Sequence, residues 1–161
     1  QPGRRPDGRN LTLEWVDKRD DSAYVWNREQ LLSVDREATR HLLGLFEPDH
    51  MKFEADRGSD PAGEPSLAEM TELAIDLLSR DPDGFFLMVE GGRIDHGHHA
   101  GSAYNALTDT IAFSDAVLAA VESVDMSQTL IIVTADPSDV FTIAGAPNGG
   151  NTISGHVAAV G

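Results

Sequence analysis

The chain has 161 residues, 40% of them hydrophobic, no cysteine and a formal net charge of −15. This length supports one domain with a real core, and the acidity argues against a nucleic-acid-binding surface, which needs clustered Lys and Arg. The lack of cysteine excludes disulfides within these residues, and no apolar stretch approaches the roughly 18 residues that a membrane-spanning helix needs.

Hydrophobic periodicity and turn residues predict alternating helices and strands. In chain order, we expect a helix over 10–18, a strand over 24–26, a helix over 28–33, a strand over 41–46, a long surface loop over 49–65, a helix over 67–79, a strand over 84–89, a helix over 101–121 and a strand over 129–134. Ser66 and Glu69 have the spacing of a capping box at the start of the 67–79 helix.

The last two predicted strands are continuous apolar runs without polar alternation, which is typical of parallel strands buried on both faces. A long helix separates them, so the sequence predicts a parallel βαβ unit. The fold class expected is α/β, with a mostly parallel central sheet flanked by helices.

Two carboxylates and three imidazoles follow the 84–89 run within ten residues, from Glu90 to His99. Asp95 and His99 are four residues apart, so a helix beginning near Asp95 would place both side chains on one face. Imidazole nitrogen and carboxylate oxygen are zinc ligands, and carboxylate oxygen also suits magnesium. The cluster therefore predicts metal binding beyond the end of a strand, where sites form in parallel α/β sheets.

Ordinary structural roles compete with this interpretation for some of the residues. Asp95 alone would serve equally well as a helix cap, and Asp136, before Pro137, as a turn residue. Three further histidines outside the cluster are expected to be solvated: His41, His50 and His156.

The segment from Phe85 to His99 resembles the metal-binding segment of alkaline phosphatases of the animal type. Other segments fit the same family in the same order along the chain: 3–11, 24–28, 44–48, 65–67 and 133–136. By this resemblance, residues 1–161 are a C-terminal-half piece of a single alkaline phosphatase domain.

The resemblance implies roles for individual residues. Glu90 corresponds to a magnesium ligand, Asp95 and His99 to ligands of one zinc, and Asp136 to a ligand of a second zinc. His96 corresponds to a position in the outer shell of the metals. A calcium site would take the Phe46 carbonyl and Glu47, with Glu64 where the family usually has Asp.

The implied activity is zinc- and magnesium-dependent hydrolysis of phosphate monoesters through a phosphoserine. The family's nucleophilic serine lies upstream of the matching region, and Asp21-Ser22 does not replace it, so no catalytic residue is expected here and the isolated segment should be inactive. Pro137 stands where the family has a zinc-binding His; Asp139 is a weak substitute, and His156 arrives too early to be the last zinc His.

These departures leave a rival hypothesis, a degenerate, non-catalytic metal-binding homologue. Another metallophosphoesterase or sulfatase of the same superfamily is the third possibility. The resemblance further implies a homodimer in the full-length protein and an extracellular or lipid-anchored location, with a phosphate monoester as substrate and no nucleic-acid partner.

Overall fold

A computed structural model describes residues 5–135 and 141–142. Its elements, in chain order, are α1 (Leu11–Val16), β1 (Ser22–Val25), α2 (Arg28–Leu32), β2 (His41–Gly44), α3 (Glu54–Arg57), α4 (Leu67–Leu78), α5 (Arg93–His99) and α6 (Ala103–Ser123).

The described part of the chain contains one sheet, formed by β1 and β2, which pair in parallel with Ser22 opposite His41 and Val25 opposite Gly44. A parallel pair requires a crossover connection, which α2 supplies. Val25 from β1, Leu31 from α2 and Leu73 from α4 form a buried cluster at 3–4% exposure. This cluster joins the small sheet to the helices.

Helix α4 begins with the capping box that the sequence predicts. Ser66 Oγ accepts a hydrogen bond from the Glu69 N–H, and the Glu69 carboxylate accepts one from the Ser66 N–H. Together they satisfy two of the backbone donors that a helix start leaves unpaired. Helix α4 packs along α6, whose Ala106, Ala116 and Ala119 are buried small residues that allow close helix approach.

Most predicted elements before residue 80, and the long helix α6, are confirmed with shifts of a few residues at their ends. The segment 49–65 differs from a simple surface loop. It contains α3, and it ends in Glu64 and Pro65, both almost fully buried. Among the helices of the described residues, none has the length and hydrophobicity of a membrane-spanning segment.

The predicted buried strands over 84–89 and 129–134 are wrong for the chain as the structure describes it. Neither run has strand structure, and Phe86 and Leu130 are 89% and 83% exposed. A strand requires a neighbour for its backbone hydrogen bonds, and the described residues place none beside either run. The α/β class is confirmed, but the observed parallel pair is β1–β2 rather than the predicted βαβ unit.

Candidate metal centre

Helix α5 carries the central cluster of acidic and imidazole side chains. Gly92 is its N-cap residue and makes no side-chain capping bond, so Asp95 lies inside the first turn and does not cap the helix. An acid in the first turn interacts favourably with the positive end of the helix dipole. The competing role of Asp95 as N-cap is therefore wrong.

Asp95 and His99 lie together on one face of α5, as their spacing predicts. Asp95 Oδ1 is 3.4 Å from His99 Nε2, with the Asp95 side chain 29% exposed and that of His99 76% exposed. Oδ1 is itself buried and accepts no hydrogen bond within the described part of the chain. A carboxylate oxygen without a donor, facing an imidazole nitrogen, fits a pair of ligands that would converge on one cation.

Glu90 is exposed and lies just before α5. Its carboxylate bends back over Gly92, where an added Cβ would lie 3.3 Å from Glu90 Oε1. Within residues 5–135 and 141–142, no three His, Cys, Asp or Glu side chains assemble into a metal-binding group. The structure thus brings together Asp95 and His99 but not Glu90 with them. Asp136, Pro137, Asp139 and His156 lie outside the described residues.

The other two histidines of α5 make different contacts. His96 Nδ1 accepts a hydrogen bond from Arg93 Nη1 at 2.9 Å, since a guanidinium only donates. Its ring also lies 4.3 Å, centroid to centroid, from the ring of His50. His98 Nδ1 donates to the Ile94 carbonyl at 2.9 Å, because a carbonyl oxygen can only accept. His41 and His50 have side chains 50% and 61% exposed, as expected for solvated histidines.

Sequence reasoning did not identify Arg93, Phe53 and Gly97 as parts of this site. The Arg93 guanidinium carbon lies 3.8 Å from the centroid of the Phe53 ring. Gly97 is buried against α6, where an added Cβ would lie 2.6 Å from the backbone nitrogen of Ala106. A glycine inside a helical segment is a signal of close approach, whereas nothing in the sequence pairs Phe53 with Arg93.

A second acidic cluster lies near α3. Both carboxylate oxygens of Glu64 accept from the Lys52 backbone N–H, at 3.1 and 2.9 Å, and the residue is 2% exposed. Burial raises the pKa of Glu64 above its ordinary value, and the neighbouring Glu47 carboxylate raises it further. The hydrogen bond from the Lys52 N–H has the opposite effect and lowers this pKa, but it does not cancel the effect of burial. Glu47 in turn lies 3.7 Å from Lys52 Nζ. Phe46 packs against the buried cluster of Val25, Leu31 and Leu73.

The buried Glu64 carboxylate, whose pKa is raised, lies beside the Glu47 carboxylate, so a cation here would neutralise both; calcium takes carboxylate and backbone carbonyl oxygens. The chemistry of Glu47 and Glu64 is therefore compatible with the calcium site that the resemblance implies.

Comparisons with known proteins identify the family of this chain. The sequence model of the family described as alkaline phosphatase matches residues 1–160. The tissue-nonspecific alkaline phosphatase isozyme of Felis catus is 48% identical over 156 residues, which are 95% of this chain and 29% of the cat protein. Alkaline phosphatase of Gadus morhua is 44% identical over 158 residues, covering 97% of this chain and 33% of the cod protein.

Among solved structures, alkaline phosphatase of Thermus thermophilus matches with a TM-score of 0.64 and 38% identity, over 73% of this chain and 24% of that chain. The chain thus spans a third or less of the length of these curated relatives. The resemblance drawn from the Phe85–His99 segment is confirmed, and the chain belongs to the alkaline phosphatase family.

Proposed function

We propose that this chain forms part of the metal centre of a zinc- and magnesium-dependent phosphate monoester hydrolase. The observation that carries the proposal is the Asp95–His99 pair on α5, with Asp95 Oδ1 buried and no hydrogen-bond donor for it in the described residues. It lies within the region matched by the alkaline phosphatase family.

In this proposal Asp95 and His99 hold one zinc ion, Asp136 contributes to a second, and Glu90 binds magnesium. When bound, the ions supply Lewis-acid stabilisation of charge on the oxygens of a phosphoryl group. Asp95 contributes a full negative charge, which partly neutralises the dication. His99 contributes a neutral nitrogen and, being largely exposed, leaves room for further ligands.

Calcium is proposed for the second cluster, with the Glu47 and Glu64 carboxylates and the Phe46 carbonyl as ligands. Its support is the burial of Glu64 at 2% exposure beside a second carboxylate. Such a cation would remove the cost of keeping two neighbouring acids ionised in a poorly solvated place.

Activity on phosphate monoesters, a homodimer and an extracellular or lipid-anchored location are proposed for the whole protein on family membership alone. The isolated 161 residues should not turn over an aryl phosphate in the presence of zinc and magnesium, because the matching segments include no nucleophilic serine. Saturable turnover by the purified chain would contradict this expectation.

A degenerate, non-catalytic metal-binding homologue is the second candidate. Pro137 favours it, since proline has no side-chain donor atom for zinc at a position where the family has His. Both candidates bind one zinc ion at α5, but only the hydrolase also binds the second zinc. They therefore predict different amounts of bound zinc per chain.

Zinc titration of the purified chain by calorimetry tests the proposal. We expect saturable binding that Asp95→Asn and His99→Ala each weaken by more than about 100-fold, since even outer-shell losses cost about 10–100-fold. His41→Ala, which removes an exposed histidine 3.9 Å from Asp21, is the matched control and should leave zinc affinity unchanged. Equal affinities for all four proteins would refute zinc binding by α5.

A further inference from the structure

Arg93 makes two contacts that fix its guanidinium between α5 and the segment before α3. The guanidinium carbon lies 3.8 Å from the Phe53 ring centroid, close enough for a cation–π interaction. Nη1 donates to His96 Nδ1 at 2.9 Å. Nε is buried and has no hydrogen-bond acceptor in the described part of the chain. The group is held by the stacking on Phe53, by the bond to His96 and by attraction to the Asp109 carboxylate of α6.

The hydrogen bond determines the tautomer of His96. A guanidinium has donors and no acceptor, so Nδ1 must present a lone pair and the proton of the neutral ring must be on Nε2. The ring of His50 lies 4.3 Å away at an interplanar angle of 57° and restricts rotation of the His96 ring. His96 is therefore held in one orientation by contacts from two segments.

The same contacts restrict rotation of α5 as a whole. Arg93 and His96 are three residues apart and lie on neighbouring faces of the helix, whereas the Asp95–His99 pair is centred roughly 110° around it, at about 100° per residue. Gly97, four residues after Arg93 and therefore on the same side of the helix as Arg93, lies against the backbone of Ala106 in α6. The orientation of the Asp95–His99 face therefore depends on the contacts that Arg93 and Gly97 make.

We propose that Arg93 is a positioning residue of the candidate metal centre. By stacking on Phe53 and donating to His96, it fixes His96 as the Nε2–H tautomer and holds the Asp95–His99 face of α5 in its orientation. The metal-binding part of this inference rests on the proposed function, whereas the tautomer does not.

The first test is ¹⁵N NMR of the imidazole nitrogens in the metal-free chain, at a pH where the ring is neutral. We expect the native protein to give the signature of a single His96 tautomer, with a protonated Nε2 and an unprotonated Nδ1. Arg93→Met keeps the apolar stem but removes the donors, and it should give averaged tautomer signals. Arg93→Lys retains a cationic donor group without the planar guanidinium and should restore part of the native signature. Arg36→Met, which removes an exposed arginine 3.3 Å from Asp76, should change nothing.

The second test is zinc affinity in the same proteins. We expect Arg93→Met to weaken binding by about 10–100-fold, as loss of an outer-shell group does, with Arg93→Lys intermediate. Unchanged His96 signals in Arg93→Met would overturn the inference, whatever the zinc affinity of that variant. If the native chain binds no zinc but Arg93→Met still alters the His96 signals, the proposed function fails and Arg93 remains the residue that orients His96. Arg93→Lys keeps both tests informative if Arg93→Met does not fold.

Discussion

Gly97 of α5 lies directly against Ala106 of α6, with no room for a side chain between the two helices. A Cβ added at Gly97 would lie 2.6 Å from the backbone nitrogen of Ala106 and 2.8 Å from its Cα. Because the obstacle is backbone rather than the end of a flexible side chain, it cannot move aside without shifting a helix. The position of α5, and with it the Asp95–His99 face, therefore depends on the absence of a side chain at Gly97.

Gly97→Ala should destabilise the chain by about 1–3 kcal/mol, the usual cost of overpacking a close contact. It should also weaken zinc binding, since α5 must move away from α6. Denaturant unfolding and zinc titration measure the two effects. Gly58→Ala is the matched control: Gly58 has a φ of −64°, and an added Cβ there meets nothing within 4 Å. An equal effect of the two substitutions would contradict the packing argument.

Asp109 of α6 accepts a hydrogen bond from the Glu54 N–H at 3.2 Å and so satisfies a donor at the start of α3. Burial is the largest effect and raises the pKa of Asp109 above its ordinary value of 3.8. The hydrogen bond from the Glu54 N–H and the positive charge of Arg93 lower this pKa, whereas the negative charges of the Glu54 and Asp56 side chains raise it. The Asp109 carboxylate therefore binds a proton more readily in the folded chain than in the unfolded chain. The contribution of Asp109 to stability falls as the pH rises from about 3.8 through the raised pKa.

Asp109→Asn keeps an acceptor oxygen for Glu54 but cannot ionise. We expect the variant to gain stability relative to the native chain as the pH rises from acid to neutral. Urea unfolding of both proteins across this range measures the difference, in which the other titrating groups cancel. Parallel stability curves would show that the ionisation of Asp109 is not coupled to folding.

Glu64→Gln should abolish a calcium response while leaving the metal-free chain at least as stable at neutral pH. Burial raises the pKa of Glu64, so its ionised form is costly in the folded chain unless a cation neutralises it. In the native chain, calcium at 100 times its Kd should stabilise folding by about 2.7 kcal/mol. Thermal unfolding with and without calcium measures this. Glu72→Gln, on an exposed position of α4, should respond to calcium like the native chain, and a full response in Glu64→Gln would exclude Glu64 as a ligand.

Glu69→Ala should destabilise the chain more than Ser66→Ala, which should cost about 1 kcal/mol as a lost N-cap. Glu69 accepts from the Ser66 N–H and also from the Arg28 guanidinium, with Nε distances of 2.9 and 3.0 Å. Burial raises the pKa of Glu69, but the Arg28 and Ser66 donors together hold it below its ordinary value.

Because the Arg28 side chain is 48% exposed, solvent screening keeps the contribution of its ion pair with Glu69 small. Chemical denaturation compares the two variants, with Glu72→Ala on the exposed face of α4 as control. A smaller effect for Glu69→Ala than for Ser66→Ala would mean that the reciprocal bond and the Arg28 pair add nothing.

Local signals were sufficient to predict α4 and α6. The Ser66–Glu69 capping box and apolar residues at helical spacing are properties of neighbouring residues, and the observed helices follow them. The 84–89 run has the composition of a buried strand, but a strand also needs a partner that its own residues do not encode. In the described residues no partner lies beside it, and Phe86 is exposed.

In the candidate site too, features that depend on neighbouring residues could be predicted from the sequence, whereas contacts between distant residues could not. The four-residue spacing of Asp95 and His99 predicted their shared face, since helical geometry follows from spacing alone. The stacking of Arg93 on Phe53 and the contact of His50 with His96 join residues far apart in the chain, so only the three-dimensional structure could reveal them. The ligand roles of all four residues stay predictions: Glu90, Asp95, His99 and Asp136.

Anomalous diffraction at the zinc absorption edge, from crystals of the chain grown with zinc, would locate the ion that Asp95 and His99 are proposed to bind. We expect an anomalous peak within about 2.0–2.2 Å of both an Asp95 carboxylate oxygen and a His99 ring nitrogen. A zinc ion bound elsewhere, for example at the exposed His41, with no peak at α5, would contradict it.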